Sequence, residues 1–456
     1  MNIDNKRVTL IGLGRSTVAA AQLLLRHGAH PFISEVGSSR ALEPWKKQCE
    51  QLGIPCEMGG HSGDACEKAD MIVLSPGVPL TVPLVAQARL RGIPVLGEFE
   101  LAWRFCSSKA IAVTGTNGKT TVTTLLRDMI ASCGYSVALA GNNDTPLSLV
   151  ALEEEPPDWV VLEVSSYQLE TVEQFHPAIA CILNVTPDHL SRHGSIEHYA
   201  IVKGRIFMRQ QAGDTAIRNA DDPLVNTLPS PDGIRQFYFS MKGPAANTFY
   251  ADDDNIYFGD QAVASSADNP LPGKHNLANV LAALAVMHAG KFPRQETLEG
   301  LRRFKGVEHR IEHVMSFQGV DYYNDSKSTN LDSLRVALES FSQPIILLAG
   351  GRGKGSDYAS LCPLVRKQVK HLIAFGEDAA LISAAYDGCV SNEQAASMMD
   401  AVKRARLAAD SGDVILLSPA CASFDMYDNF ESRGRDYKDC LRRLPCEETR
   451  GEGSNS

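Results

Sequence analysis

The chain has 456 residues, 44 % of them hydrophobic and 21 % charged, an ordinary globular composition with length for about two to four domains. Its formal net charge of -10 argues against a nucleic-acid partner, although local Lys/Arg clusters can still hold small anions. Eleven cysteines without a Cys-x-x-Cys pair read as buried free thiols of a reducing cytosol, not as disulfides or a zinc site.

The N-terminus, M-N-I-D-N-K-R, is no signal peptide and runs straight into a strand-like segment, 7–13. An amphipathic helix is predicted over 17–27 and further strands over 31–34 and 71–74, an alternation that implies a parallel α/β sheet. Between the first strand and helix, G-L-G-R-S-T (12–17) is similar to a dinucleotide fingerprint, with Glu35 about 20 residues on. Thr17 replaces the third glycine, so a nicotinamide site is weakly supported. A loop cradling a nucleotide pyrophosphate, with Glu35 at the sugar or base, fits better.

The pattern restarts near residue 109. A strand over 110–113 leads into G-T-N-G-K-T-T (115–121) and a helix over 122–130. A glycine turn between strand and helix aims backbone N–H groups at phosphate oxygens, and the helix dipole adds to them. Lys119 can reach the β/γ-phosphates and Thr120 can ligate Mg²⁺. Val113 stands where the first glycine of the longer pattern would be, so this is a shortened variant. Strands over 159–163 and 180–184 follow. Glu163 ends the first, facing a metal or serving as a solvated loop acid, with equal claim. N-V-T-P-D-H (184–189) follows the second, and His189 is a metal or phosphate ligand or a structural histidine. On local evidence Lys203 has its stronger claim as a solvated helix charge.

Residues 214–268 are more polar and read as irregular or antiparallel β. The helix over 276–288 carries Asn276 and Asn279 one turn apart, amides that need partners in base, phosphate or backbone. It is the most apolar stretch and too short to span a bilayer. Four strands are predicted in the last third, over 320–324, 344–349, 371–375 and 414–417. N-D-S-K-S-T-N (324–330), G-G-R-G-K (350–354) and S-P-A-C-A-S-F (418–424) each follow one of them. Singly they are ordinary polar loops. On the shared rim of a parallel sheet, Lys327, Thr329, Lys354 and Ser423 could together hold a dicarboxylate. The Gly/Ser-rich tail from Glu447 is expected to be disordered.

In their order these segments, with E-V-S-S-Y-Q-L-E (163–170), K-G-R (203–205), H-N-L-A-N (275–279) and H-R (309–310), resemble the Mur ligase family. The resemblance covers nearly the whole chain. S-P-G-V (75–78), N-D-S-K-S-T-N (324–330), S-P-A-C-A-S (418–423) and N-F-E-S-R-G (429–434) are most similar to the branch that adds D-glutamate. The resemblance implies an α/β fold of three domains: a Rossmann-like UDP-substrate domain (1–106), a central P-loop ATPase domain with a parallel sheet (107–307) and a C-terminal Rossmann-like amino-acid domain (308–456). It implies a cytoplasmic, monomeric ligase that uses ATP, two Mg²⁺ ions, UDP-N-acetylmuramoyl-L-alanine and D-glutamate, without nucleic acid or membrane insertion. Lys119, Lys203 and His189 match catalytic positions, with Lys203 carbamylated. Thr120, Glu163, His189 and Lys203 match metal positions. Gly115, Thr116, Asn117, Gly118, Lys119, Thr120, Thr121, Asn276, Asn279, Arg310 and Asp325 match ATP positions. Ser16, Glu35, Gly77 and Asn142 match UDP-substrate positions, and Lys327, Thr329, Lys354, Ser423 and Phe430 match D-glutamate positions. Arg15-Ser-Thr17 and G-N-N-D-T-P (141–146) depart from the family's usual loops. On the central loop alone, a nucleotide switch without ligation is the alternative. It would not need the polar groups of the last third.

Overall fold

The structure, a computed structural model, describes residues 1–143, 145–353 and 355–451, with side chains through Leu444. Aliphatic and β-branched runs build three sheets. The first holds β1 (Arg7–Ile11), β2 (His30–Glu35), β3 (Cys56–Met58), β4 (Met71–Leu74) and β5 (Val95–Gly97), all parallel, in the order β3-β2-β1-β4-β5. The chain steps outward from β1 in both directions, which leaves a crevice at the strand ends beside β1 and β4. The helix Arg15–Arg26 lies against this sheet through Val18, Ala20, Ala21 and Leu24, and its alanines permit close approach. β3 and β5, three residues each, lack the period-2 run that makes a strand visible in sequence.

The second sheet holds β6 (Lys109–Thr114), β7 (Val137–Gly141), β8 (Trp159–Glu163), β9 (Ile179–Ile182), β10 (Thr215–Asn219), β11 (Arg235–Phe239), β12 (Thr248–Ala251), β13 (Asn255–Phe258) and β14 (Gln261–Ser265), in the order β14-β13-β12-β11-β10-β9-β6-β8-β7. The expectation for 214–268 is corrected here. β10, β11 and β12 continue the parallel sheet, and only β13 and β14 turn antiparallel. The short helix Pro223–Thr227 between β10 and β11 returns the chain in the same direction. One apolar core joins this sheet to the first, with Leu23, Phe99 and Ala102 packed among Ala110, Val160, Leu162 and Ile182.

The third sheet holds β15 (Glu312–Phe317), β16 (Val320–Asn324), β17 (Ile345–Gly350), β18 (Val369–Phe375), β19 (Ser391–Ala395) and β20 (Val414–Leu417), in the order β15-β16-β20-β17-β18-β19. β16, β20 and β17 are adjacent and parallel, with Asn324 level with Leu417 and Leu417 level with Leu348. By contact the chain forms two units: 1–269 with 278–303, and 270–277 with 304–456.

Two expectations fail. The last helix runs Phe430–Gly451, continuing into the segment read as disordered. A disulfide joins Cys362 to Cys389, with 6.0 Å between Cα atoms, while the other eight cysteines with described side chains are free. Cys362 opens the helix Cys362–Gln368 and Cys389 sits just before β19, so the turns on either side of β18 bring together residues 27 apart in sequence. Among the described residues no helix is long and apolar enough to cross a membrane.

Candidate active site

β6 and β9 run side by side, with Thr114 level with Ile182, so the loops that follow them emerge together. The first is 115–118, which opens the helix Lys119–Ser132. Gly118 has φ +88°, and a Cβ there would strike the Asn279 side chain, so the turn needs glycine on both counts. The same contact places Asn279 against the loop. Lys119 Nζ donates to the carbonyls of Gly115 (2.9 Å) and Thr116 (2.8 Å), which holds its charge over the turn. Thr116 and Thr120 are half-buried at the mouth, Thr121 follows in the first helical turn, and Asn117 is exposed.

Lys203 reaches the same place from the helix Ile196–Gly204. Its Nζ donates to the Gly115 carbonyl at 2.9 Å and lies 4.3 Å from the centre of the Tyr199 ring. It is 1 % exposed, which overturns the solvated-charge reading. Burial, with the nearby Lys119 charge, pushes its pKa well below the ordinary lysine value. Glu163 ends β8 at 4 % exposure; Asn142 Nδ2 donates to its Oε1 at 3.1 Å, and its Oε2 has no hydrogen-bond partner. A buried carboxylate oxygen without a donor is suited to binding a cation. His189 has a left-handed backbone (φ +51°) and its Nδ1 stands 3.1 Å from the Tyr167 hydroxyl. Asn142 thus stands beside Glu163.

Ser16, Glu35 and Gly77 stand at the crevice of the first sheet. Ser16 lies in the first turn of the helix Arg15–Arg26, and Gly77 has open space where a side chain would be. The Glu35 carboxylate accepts from Leu13 N–H (2.7 Å) and Gly37 N–H (2.6 Å), so it braces the glycine loop directly. Arg192 links this region to the second sheet, donating to Glu170 and to the Val78 carbonyl (3.2 Å).

In the other unit, the ends of β16, β20 and β17 form the expected rim. Lys327 Nζ lies 5.3 Å over the Phe430 ring, Thr329 is half-buried, and Ser423 is 2 % exposed. Lys354 lies outside the described residues. Asp325 is buried, accepting from Ser418 Oγ (2.8 Å) and Ile311 N–H (3.2 Å), and burial raises its pKa to about 7. Arg310, beside it, offsets part of that rise. Asn276 donates to the Pro272 carbonyl at 2.7 Å. Glu308, His309 and Glu312 bring metal-capable atoms together, but Lys438 donates to both carboxylates, at 2.6 and 2.9 Å, so this is an ion-pair cluster.

Two residues lie inside motifs quoted from the sequence, but no individual role is read for them there. Arg433, 0 % exposed, donates to Ser326 Oγ, the Ser326 carbonyl and the Gly350 carbonyl, pinning the loops after β16 and β17 from the last helix. Asn184 grips the loop at 115–118. Both act on backbone groups distant in sequence, and no local pattern marks such partners.

Three family models match in order: "Mur ligase MurD-like, N-terminal domain" over 6–97, "Mur ligase middle domain" over 113–287, and "Mur ligase, glutamate ligase domain" over 309–421. The chain is 43 % identical to the UDP-N-acetylmuramoylalanine–D-glutamate ligase of Pelodictyon phaeoclathratiforme, over 97 % of this chain and 99 % of that one. It is 42 % identical to the protein of the same name from Koribacter versatilis, with the same coverage. Among solved structures, the UDP-N-acetylmuramate-alanine ligase of Thermotoga maritima superposes with TM-score 0.60 at 19 % identity, covering 96 % of this chain and 99 % of that one. The MurF ligase of Thermotoga maritima in complex with ADP superposes with TM-score 0.56 at 16 % identity, covering 97 % and 96 %.

Proposed function

The chain belongs to the Mur ligase family, and we propose that it joins D-glutamate to UDP-N-acetylmuramoyl-L-alanine, spending ATP to make the carboxylate an acyl phosphate. The observation that carries this reading is the near-full-length identity to two D-glutamate ligases, over a chain whose glycine turn gathers two lysines on one carbonyl. A carboxylate does not acylate an amine in water, because oxide is a poor leaving group. Phosphorylation by ATP supplies phosphate in its place, and the amine of D-glutamate then attacks, passes through a tetrahedral oxyanion and expels phosphate.

Residues 115–121 hold the triphosphate, and Lys119 offsets the charge of two anions brought together. Asn276, Asn279, Arg310 and Asp325 serve ATP. Glu163, His189, Thr120 and Lys203 hold Mg²⁺, two ions in all. A magnesium ion prefers oxygen ligands, and the free oxygen of Glu163 fits that chemistry. The Lys203 amine fits only once carbamylated, and the downward push of burial on its pKa supports this by favouring the neutral, nucleophilic amine. Bound there, Mg²⁺ neutralises phosphate and carboxylate charge. Ser16, Glu35, Gly77 and Asn142 receive the UDP substrate, and Lys327, Thr329, Lys354, Ser423 and Phe430 position D-glutamate. The domains divide at 106/107 and 307/308, and the enzyme works as a cytoplasmic monomer in the synthesis of peptidoglycan precursors.

The test is ADP release by purified protein with Mg²⁺ across a panel of amino acids. Release is expected only when UDP-N-acetylmuramoyl-L-alanine and D-glutamate are both present. Release with another amino acid, or with nucleotide alone, overturns the assignment.

A further inference from the structure

We propose that Asn184 is a positioning residue that shapes the phosphate loop and locks it to the loop bearing His189. The proposal rests on the reading of 115–121 as a nucleotide site. Asn184 Oδ1 accepts from the backbone N–H of Thr116 (3.1 Å) and of Asn117 (2.9 Å), and its Nδ2 donates to the Asn117 carbonyl (3.1 Å). One amide thus fixes the Asn117 residue through both its N–H and its C=O. Two further bonds run beside it: Thr116 Oγ1 donates to the Thr186 carbonyl (3.2 Å) and accepts from Thr186 N–H (3.0 Å).

The Asn184 segment is itself held from behind. Asn219 Nδ2 donates to the Leu183 carbonyl at 2.9 Å, and Val185 N–H donates to Asp222 Oδ2 at 2.7 Å. The grip is therefore anchored in β10 and the turn after it, and it continues to Asp188 and His189 five residues on. The physical consequence is a division of the loop's donors. The N–H groups of Thr116 and Asn117 are taken by Asn184. Those of the first helical turn have no acceptor within the helix and face phosphate. Without the Asn184 side chain, Thr116 N–H keeps the backbone carbonyl of residue 184 (3.0 Å), but the loop must find other partners for the Asn117 N–H and carbonyl, and nucleotide binding must order it first.

The amide accepts at Oδ1 and donates at Nδ2, two separate atoms. Asp at 184 keeps the acceptor, loses the donor and adds a negative charge beside the triphosphate. Ser keeps a weaker version of both. The experiment is calorimetric titration of Asn184→Ala, Asn184→Asp and Asn184→Ser with Mg·ADP, with steady-state KM values for ATP and D-glutamate and hydrogen exchange over 115–118. Asn184→Ala is expected to weaken Mg·ADP about tenfold, to speed exchange in the loop, and to leave the D-glutamate KM within about twofold. Asn184→Asp is expected to bind worst and Asn184→Ser in between. If the Ala variant does not fold, the Asp and Ser variants carry the same criteria. Mg·ADP affinity unchanged in the variants, or a D-glutamate KM that rises as far as that for ATP, overturns the proposal. A wild type that binds no Mg·ADP overturns the underlying nucleotide reading instead.

Discussion

A lysine at 1 % exposure, sharing a carbonyl with a second lysine, is disfavoured as an ammonium by burial and by like charge. As a neutral amine it can take up carbon dioxide, and a carbamate would give it the oxygen a magnesium site wants. Lys203→Ala is therefore expected to lose turnover by roughly 10²-fold or more and to regain part of it with short carboxylic acids such as formate or acetate. Absence of rescue across a concentration series leaves carbamylation without support. Glu98 is a second buried group with a measurable signature. Its only described polar contact is Ser148 Oγ, which donates at 2.8 Å, and burial raises its pKa from 4.5 to about 7. The folded chain holds this proton more tightly than the unfolded chain. Its contribution to stability is thus whole below about pH 4.5 and is lost as the pH rises through about 7. Glu98→Gln removes that loss. Between pH 4 and 8 the variant is expected to gain on the wild type by on the order of 3 kcal/mol, read from denaturant melts. Parallel stability curves would contradict the raised pKa. Neither side chain announces this in sequence. Lys203 reads as one more charge on a short helix, because its burial is made by the loop at 115 and by Tyr199, brought there by the fold.

At the scale of elements, much of the alternation of strand and helix was legible, although β7 (Val137–Gly141) was not read. The segments 71–74, 159–163, 320–324 and 414–417 coincide with β4, β8, β16 and β20. Their ends also located the candidate site, because parallel neighbours in register bring their following loops to one edge, as β16, β20 and β17 do. β19 was not legible: S-N-E-Q-A carries no apolar alternation and is a strand because β18 offers it a parallel edge. The Cys362–Cys389 bond was hidden for the same reason, since only the turns on either side of β18 bring the two residues together. It closes a loop of 27 residues, for which chain entropy gives about 3–4 kcal/mol. Cys362→Ser is expected to cost about that much stability under non-reducing conditions and little in excess dithiothreitol. Alkylation should label Cys362 and Cys389 only after reduction. Labelling of both in the unreduced protein would show that the bond is not formed in solution.

For the molecule as a whole, the division into two contact units separates the two ends of the chemistry. The glycine turn with Lys119 belongs to one, and the rim with Lys327 and Ser423 to the other. A chain of this kind need not unfold in a single step. Its three tryptophans, Trp45, Trp103 and Trp159, all fall within 1–269. Indole emission is therefore a built-in gauge of the unit that carries the glycine turn, blind to the unit that carries the rim, which a backbone signal such as circular dichroism can follow. Saturating Mg·ADP should displace the melt seen by emission, by about 2.7 kcal/mol at a hundred times Kd, while D-glutamate alone should leave it in place. An emission melt moved by D-glutamate and untouched by Mg·ADP would reverse the assignment of the two halves.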